Sequence, residues 1–422
     1  MKKLKLVYDA SIIRFGAVKN GGRTGVYVAA LNILRELAKR KDVELALHCH
    51  PFHAYDIGCV LRKELSNIRF NIVKDGGCCS LYGKFKALKR KLKNTLFRRV
   101  LMNLFFTASA VFFKFILFFC KKNTFVNYDA YFSPVYLIPK HIETRRFILL
   151  HDIIPMLFPE YAADPWDKGH YLYDLCQTLN EEDHYFANSE CTRRDFLNNF
   201  PLIDPQNIVV TPLACSENFR PSTSLSDLKK VKNKYNIPAD KKYIFSLCTL
   251  EPRKNLIRIA KTFIEFVEKH EIDDLVLVLG GGYWTIFIDK LKNTIHDIGD
   301  GKIIRAGYLD DEDLPILYSG AEWFVYTSAY EGFGLPPLEA MSCGCPVIVS
   351  NNSSLPEVVG DAGILVDWKS DEQHMAAFEK YYFDKDFREE MKLKAMQRAQ
   401  LFSWKKCADQ IVQNIKKTIE EG

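Results

Sequence analysis

Short runs of consecutive apolar residues recur along the chain. Each is followed by a loop rich in Gly, Pro, Asp or Ser and then by a stretch of helical character. The runs Leu4–Asp9, Val43–Cys49, Ile68–Val73, Phe147–Leu150, Tyr243–Cys248, Leu275–Leu279, Ile303–Ala306, Trp323–Tyr326 and Val347–Ser350 read as strands, and Asp129–Pro134 reads as a short strand entering a loop. Apolar positions at helical spacing predict helices over Val26–Arg40 and Leu256–Lys269, and Phe402-Ser-Trp404 opens an amphipathic helix through Ile419. Alternation of this kind predicts an α/β protein. The Pro201–Pro221 stretch, with the linker-like Asn218–Ser224, marks the division into two halves.

The chain is organised around Tyr326–Pro346, which lies between two of these strands. Gly332 and Gly334 allow a tight turn and a close approach to a ligand. Pro336 and Pro337 suit the first turn of a helix, Gly344 suits its end, and Pro346 stops it. Such a helix start offers free amides and a partial positive charge, which suit phosphate. Glu331 stands in the loop and Glu339 is expected in the first helical turn. A carboxylate with two acceptor oxygens can hold two neighbouring hydroxyls of a ribose or a hexose. An acid in a first turn also complements the helix dipole with no further role.

The run Glu331-Gly-Phe-Gly-Leu-Pro-Pro-Leu-Glu339 resembles the E-x7-E signature of glycosyltransferase family four, retaining enzymes of the GT-B fold. Ala340–Ser350 and Pro356–Gly363 continue that pattern. The resemblance implies two Rossmann-like domains facing across a cleft, with the C-terminal helix crossing back to the N-terminal domain. The expected boundaries are 1–205 plus 403–422 for the acceptor side and 206–402 for the donor side. By the same resemblance, Glu331 would bind a donor-sugar hydroxyl and Glu339 the ribose. Amides of Gly332, Phe333, Gly334 and Leu335 would line the sugar and diphosphate.

Thr249-Leu-Glu-Pro-Arg-Lys-Asn255 follows a strand and precedes a helix. Two cations at a helix start oppose its dipole, so Arg253 and Lys254 point to a bound anion. The resemblance likewise makes them the pair that neutralises the leaving nucleoside diphosphate. Many members have Gly-Arg where Cys248 and Thr249 stand, which places extra duty on Arg253. The cations and the acid-flanked glycine turn are expected on opposite lobes, closing around one sugar nucleotide. Leu150-His-Asp-Ile-Ile-Pro155 resembles the family's cleft loop, so His151 would contact the donor sugar or leaving group, with Asp152 beside it. In Phe186–Phe196, Ser189 or Thr192 reads as a helix cap. Thr24-Gly25-Val-Tyr27, after Gly21-Gly-Arg23, resembles the first glycine loop, which places Gly25 near the reacting sugar. The loop lacks the G-x-G-x-x-G order of a dinucleotide site.

The basic turn resembles mannosyltransferases of bacterial surface-polysaccharide synthesis, which makes GDP-mannose the expected donor, with UDP-hexoses and dTDP-rhamnose open. A nucleotide-sugar epimerase of the same fold and a non-catalytic, membrane-bound nucleotide-sugar binding module also stay open. A pyridoxal-phosphate phosphorylase would need a Schiff-base lysine.

With 422 residues, 48% of them hydrophobic, the chain can bury two ordinary cores. A formal charge of +6 suits anionic partners, and no nucleic-acid-binding signature accompanies it. The 12 cysteines form no C-x-x-C pair and follow no secretory signal, so free thiols in the cytoplasm are expected. No metal and no cofactor are expected. His48, His50 and His53 alternate at a strand end and are expected to reach solvent, and Asp310–Asp313 is read as a helix start capped by Asp310 or Asp311. Gly280–Trp284 is read as a tight turn.

One segment departs from a plain soluble domain. Lys86, Lys89, Arg90, Lys91, Lys93 and Arg98 precede an apolar run from Val100 to Cys120, inside which stands Lys114. The run is about long enough to span a bilayer, but a charge within it costs roughly 2.5–3.5 kcal/mol. A helix or helical pair lying on the inner face of the cell membrane, its basic stretch on anionic headgroups, fits better. A helix packed in the N-terminal core is the other reading. In the membrane reading the acceptor would be a lipid-linked saccharide. The protein is expected to pellet with anionic vesicles and to be released when residues 84–99 are deleted or charge-reversed; equal partitioning of both forms would remove the membrane reading.

Overall fold

Two parallel sheets carry the chain, as the apolar runs predict. The computed structural model describes residues 3–17, 24–50, 53–66, 70–74, 125–135, 138, 141–161, 171–249, 251–282 and 301–421. The basic and apolar stretches of 84–120, Gly21–Arg23 and Tyr283–Trp284 lie outside them.

The first sheet holds β1 (Leu4–Asp9), β2 (Val43–Cys49), β3 (Asn71–Lys74), β4 (Ala130–Ser133), β5 (Arg146–Leu150), β6 (His184–Ala187) and β7 (Ile208–Val210), in the order β3-β2-β1-β4-β5-β6-β7. The second holds β8 (Lys242–Leu247), β9 (Leu275–Gly280), β10 (Ile303–Gly307), β11 (Phe324–Tyr326), β12 (Val347–Ser350) and β13 (Ile364–Val366), ordered β10-β9-β8-β11-β12-β13. Helix α1 (Gly25–Lys39) follows β1, α2 (Glu190–Asn199) follows β6, and α3 (Leu256–Lys269) follows β8. Helices α4 (Leu335–Ser342) and α5 (Leu355–Val359) flank β12, and α6 (Trp404–Glu421) ends the described chain.

Parallel strands covered on both faces tend to be apolar throughout, and β5, β9 and β12 hold nearly continuous apolar runs. Leu275 to Leu279 of β9 and Val347 to Val349 of β12 are all buried, as are Phe147 to Leu150 of β5. Helix α3 turns Leu256, Ile259, Ala260, Phe263, Phe266 and Val267 inward. In both sheets the first strand is flanked by its second and fourth, so each has a Rossmann-like switch point between strands one and four. In the second sheet that point lies between β8 and β11.

The chain forms two compact units: Met1–Leu150 with Asp174–Phe186 and Ala408–Gly422, and His151–Tyr173 with Ala187–Cys407. The last helix therefore returns to the first unit. There Lys416 pairs with Asp42 at 2.6 Å, Asp409 with Arg40, and Arg145 Nη1 donates to the Thr418 carbonyl at 2.6 Å.

Two expectations are corrected. His48 does not reach solvent: it is buried, its Nδ1 lying 2.7 Å from the Tyr131 hydroxyl, while His50 is exposed. The helix after Asp310–Asp313 starts at Leu314 with Asp313 at the cap position and no side-chain cap bond. Lys234 instead donates to Asp310 at 2.6 Å and to Asp313 at 2.5 Å, so an ion cluster has taken those carboxylates.

Within the first unit, Arg146 holds Asp183 through two bonds of 2.6 and 2.5 Å and donates to the Thr178 carbonyl at 2.8 Å. The Asp183 side chain is only 2% exposed. Asp183→Ala would leave the guanidinium buried with one neutral acceptor. It is expected to cost about 3–5 kcal/mol in denaturant unfolding; a loss under about 1 kcal/mol would mean that water replaces the pair.

Candidate active site

The loops after β8 and β11 meet at the switch point of the second sheet, where open α/β sheets bind ligands. After β8 the chain makes a 3-10 turn, Pro252–Lys254, and Asn255 ends it in the left-handed region at φ 60°. Asparagine tolerates that conformation. Its side-chain amide donates to the Trp368 carbonyl at 2.7 Å, fixing the turn from outside. The Ala329 amide donates to the Arg253 carbonyl at 2.8 Å and ties the turn to the loop after β11.

Arg253, Lys254 and Glu331 come together in that frame. Lys254 Nζ lies 2.6 Å from Glu331 Oε1 and 2.9 Å from the Tyr326 hydroxyl. Arg253 Nη1 lies 3.1 Å from Glu331 Oε1 and also donates to the Tyr330 carbonyl, while Nη2 reaches Glu251 Oε1 at 2.6 Å. Burial alone would raise the Glu331 carboxyl, but Arg253 and Lys254 outweigh it and hold it at about 2. The same two carboxylates push the Arg253 guanidinium up against the effect of burial. The cations and the glycine turn were expected on opposite lobes; both belong to the second unit, on neighbouring strands of one sheet.

The turn itself needs its glycines. A Cβ on Gly332 would lie 2.4 Å from the His151 carbonyl oxygen and 2.8 Å from Asp152 Cβ. Gly334 takes φ +116° at the N-cap of α4, where a side chain would also strike Leu355 at 2.8 Å. Leu335 then opens α4, and Phe333 is buried with its ring edge-on to Phe402 at 5.9 Å. Glu339 is the fifth residue of α4, past the first turn, so simple dipole complementation does not account for it. Burial pushes its carboxyl up to about 8, partly offset by the Tyr318 hydroxyl donating at 3.1 Å.

His151 is buried directly after β5, and Asp152 Oδ1 accepts from the Ile154 amide at 3.2 Å. Their carbonyl side meets the glycine turn through hydroxyls. Ser189 Oγ donates to the Gly332 carbonyl at 2.7 Å, and Thr192 Oγ1 lies 3.1 Å from that oxygen and 3.0 Å from the His151 carbonyl. Ser189 also caps α2 by accepting from the Thr192 amide at 3.0 Å. Gly25 lies in the first unit as the first residue of α1, behind the Thr24 cap.

Several residues here went unremarked in the sequence. Glu357 of α5 accepts from the Glu190 and Cys191 amides at 2.8 Å each and so caps α2 from another part of the chain. Ser354 Oγ donates to the Glu331 and Phe333 carbonyls at 3.0 and 2.7 Å. Tyr330 donates to Asp195 at 2.9 Å. The only sequence signal was Pro356-Glu357 within the family pattern, with no role attached.

A doubly wound pair of sheets with an ionic cluster and a glycine-started helix at one switch point defines an α/β protein of the GT-B fold. Residues 227–398 match the family of glycosyl transferases group 1. O-antigen chain mannosyltransferase B of Escherichia coli is 34% identical over 287 residues, covering 67% of this chain and 72% of that protein. The chain belongs to that family and is a glycosyltransferase. The serotype-specific mannosyltransferase WbdA of Escherichia coli is 27% identical over 67% of this chain, which spans only 34% of WbdA. Among solved structures, Anabaena HepE in complex with UDP and glucose has a TM-score of 0.66 at 16% identity, covering 98% of this chain and 100% of that one. WaaG, a glycosyltransferase involved in lipopolysaccharide biosynthesis, has a TM-score of 0.63 at 12% identity, covering 97% and 99%.

Because the Glu331 carboxyl is held at about 2, against an ordinary 4.5, its ionised form favours the folded state. That contribution is complete above about pH 4.5 and is lost as the pH falls toward about 2. Glu331→Gln is expected to be less stable than the native protein at pH 6, by about 3 kcal/mol, with the gap closing toward pH 3 in thermal unfolding. A gap independent of pH would show that charge is not what Glu331 contributes.

Proposed function

We propose that the protein transfers mannose from GDP-mannose to a lipid-linked saccharide during synthesis of a cell-surface polysaccharide, with retention of anomeric configuration. The observation that carries this reading is the buried cluster of Arg253, Lys254 and Glu331 beside the Gly332–Gly334 turn at a switch point. The names of the Escherichia coli relatives support the sugar and the polymer.

In this reading residues 206–402 bind the donor, residues 1–205 with 403–422 bind the acceptor, and Gly25 lies near the reacting donor sugar. The amides of Phe333, Gly334 and Leu335 leading into α4 hold the diphosphate, Glu339 takes the ribose hydroxyls, and Glu331 takes a hydroxyl of the sugar. His151, steadied by Asp152, contacts the sugar or the leaving oxygen. As the glycosidic bond to phosphate breaks, negative charge grows on the diphosphate, and Arg253 and Lys254 stabilise it. Stabilisation of developing charge by prearranged groups is usually the largest share of catalysis. The departing phosphate oxygen accepts the proton of the acceptor hydroxyl on the same face of the sugar, so no protein base is required. The protein works on the cytoplasmic face of the membrane, held there by the basic segment that lies outside the described residues. Among the described residues no helix is long and apolar enough to cross a membrane.

Thermal shifts against a panel of nucleoside diphosphates and their sugars test the donor, because a ligand that binds only the native state raises apparent stability. GDP and GDP-mannose are expected to give the largest shifts. Glu331→Ala and Lys254→Ala are each expected to lower kcat/KM for transfer by at least about tenfold, roughly 1.4 kcal/mol of transition-state stabilisation. Near-native turnover in either variant would count against this assignment of the site.

A further inference from the structure

We infer that Glu251 is a counter-ion that limits how tightly the site holds the departing nucleoside diphosphate, and that it acts through Arg253. The inference rests on the diphosphate-binding reading given under Proposed function. Glu251 stands immediately before Pro252 in extended backbone, at the cap position of the Pro252–Lys254 turn, yet its side chain makes no cap bond. Its Oε1 instead lies 2.6 Å from Arg253 Nη2 and 3.9 Å from Lys254 Nζ. The side chains of Glu251, Arg253, Lys254 and Glu331 are 13%, 11%, 8% and 11% exposed, so solvent screens them little.

Two cations thus face two carboxylates, and the cluster carries no net formal charge. Asp152 adds a more distant negative charge felt by Arg253. Glu331 faces both cations and has a part in binding the sugar, so its charge serves that contact. Glu251 spends its charge on the guanidinium, occupying the Nη2 edge that a phosphate oxygen would otherwise take. At separations of a few ångströms, a carboxylate offsets an attraction comparable to the one the phosphate gains. A transferase that bound its diphosphate product with two uncompensated buried cations would release it slowly, and product release limits many turnover rates. Glu251 therefore trades affinity for release, as a positioning residue rather than a catalytic one.

The variant Glu251→Gln keeps the shape and an acceptor oxygen for Arg253 while removing the charge. Titration calorimetry with GDP and UDP, on native protein and variant, is expected to show at least about tenfold tighter binding of the preferred diphosphate to Glu251→Gln, with kcat lowered and donor KM not raised. Glu251→Asp, which keeps the charge, is expected to stay within about threefold of native affinity, and Glu251→Ala to shift in the direction of Glu251→Gln. Damage to the fold weakens binding, so it cannot imitate this gain. Equal or weaker binding by both Glu251→Gln and Glu251→Ala, with the native protein binding normally, overturns the inference and leaves the donor site standing. Failure of the native protein to bind any nucleoside diphosphate overturns the site reading and this inference with it.

Discussion

Two like charges placed side by side at a buried strand end are the constraint from which the site follows. At about 4 Å and an effective dielectric near 20 they repel by roughly 4 kcal/mol, so Arg253 and Lys254 require carboxylates close by. One comes from their own turn, Glu251, and one from the neighbouring strand's loop, Glu331. Glu331 can reach them only because β11 lies next to β8, and that adjacency exists only because the chain crosses from one side of the sheet to the other. Topology and ion pairing thus support each other. Tyr326, at the end of β11, adds its hydroxyl to Lys254 from the strand itself.

The glycine turn is held as firmly from its other side. A carbonyl oxygen has two lone pairs, and that of Gly332 meets the hydroxyls of both Ser189 and Thr192. Ser189 uses the same oxygen to cap α2, and Glu357 satisfies the two amides before it. Three of the four unpaired amides at that helix start therefore have partners. The turn that presents Glu331, the turn after His151 and the start of α2 are thereby one hydrogen-bonded piece. Ser354 closes the remaining face by donating to the Glu331 and Phe333 carbonyls.

The strands were legible because buried parallel strands leave short runs dense in apolar residues, even where one charged side chain interrupts them. Leu4–Asp9, Val43–Cys49 and the helix Leu256–Lys269 have the bounds that their patterns predict. Arg253 and Lys254 stood out because cations at a helix start contradict its dipole. What stayed hidden depends on contacts across long stretches of chain. Glu357 caps a helix 166 positions away, and nothing in its neighbourhood announces that. His48 has the alternation of a half-exposed strand, but Tyr131 of β4 covers it. Asp310 reads as a cap, yet Lys234 from another helix takes it together with Asp313. The expectation that cations and glycine turn oppose each other on separate lobes failed for a related reason, since strand order within a sheet is not written in the order of the chain.

The two glutamates of the E-x7-E run show how far environment separates identical side chains. Glu331 sits in the turn against two cations, which hold its carboxyl at about 2 against the effect of burial. Glu339, the fifth residue of α4, accepts from the Tyr318 hydroxyl, and burial with the more modest effect of Asp311 pushes it up to about 8. Its neighbours thus move it toward the protonated form, the direction opposite to Glu331. The spacing explains the division. Eight positions carry the chain from the strand side of the turn, where the cations are, into the body of α4 beside Tyr318. One short motif thus carries two identical side chains whose neighbours push their titrations in opposite directions.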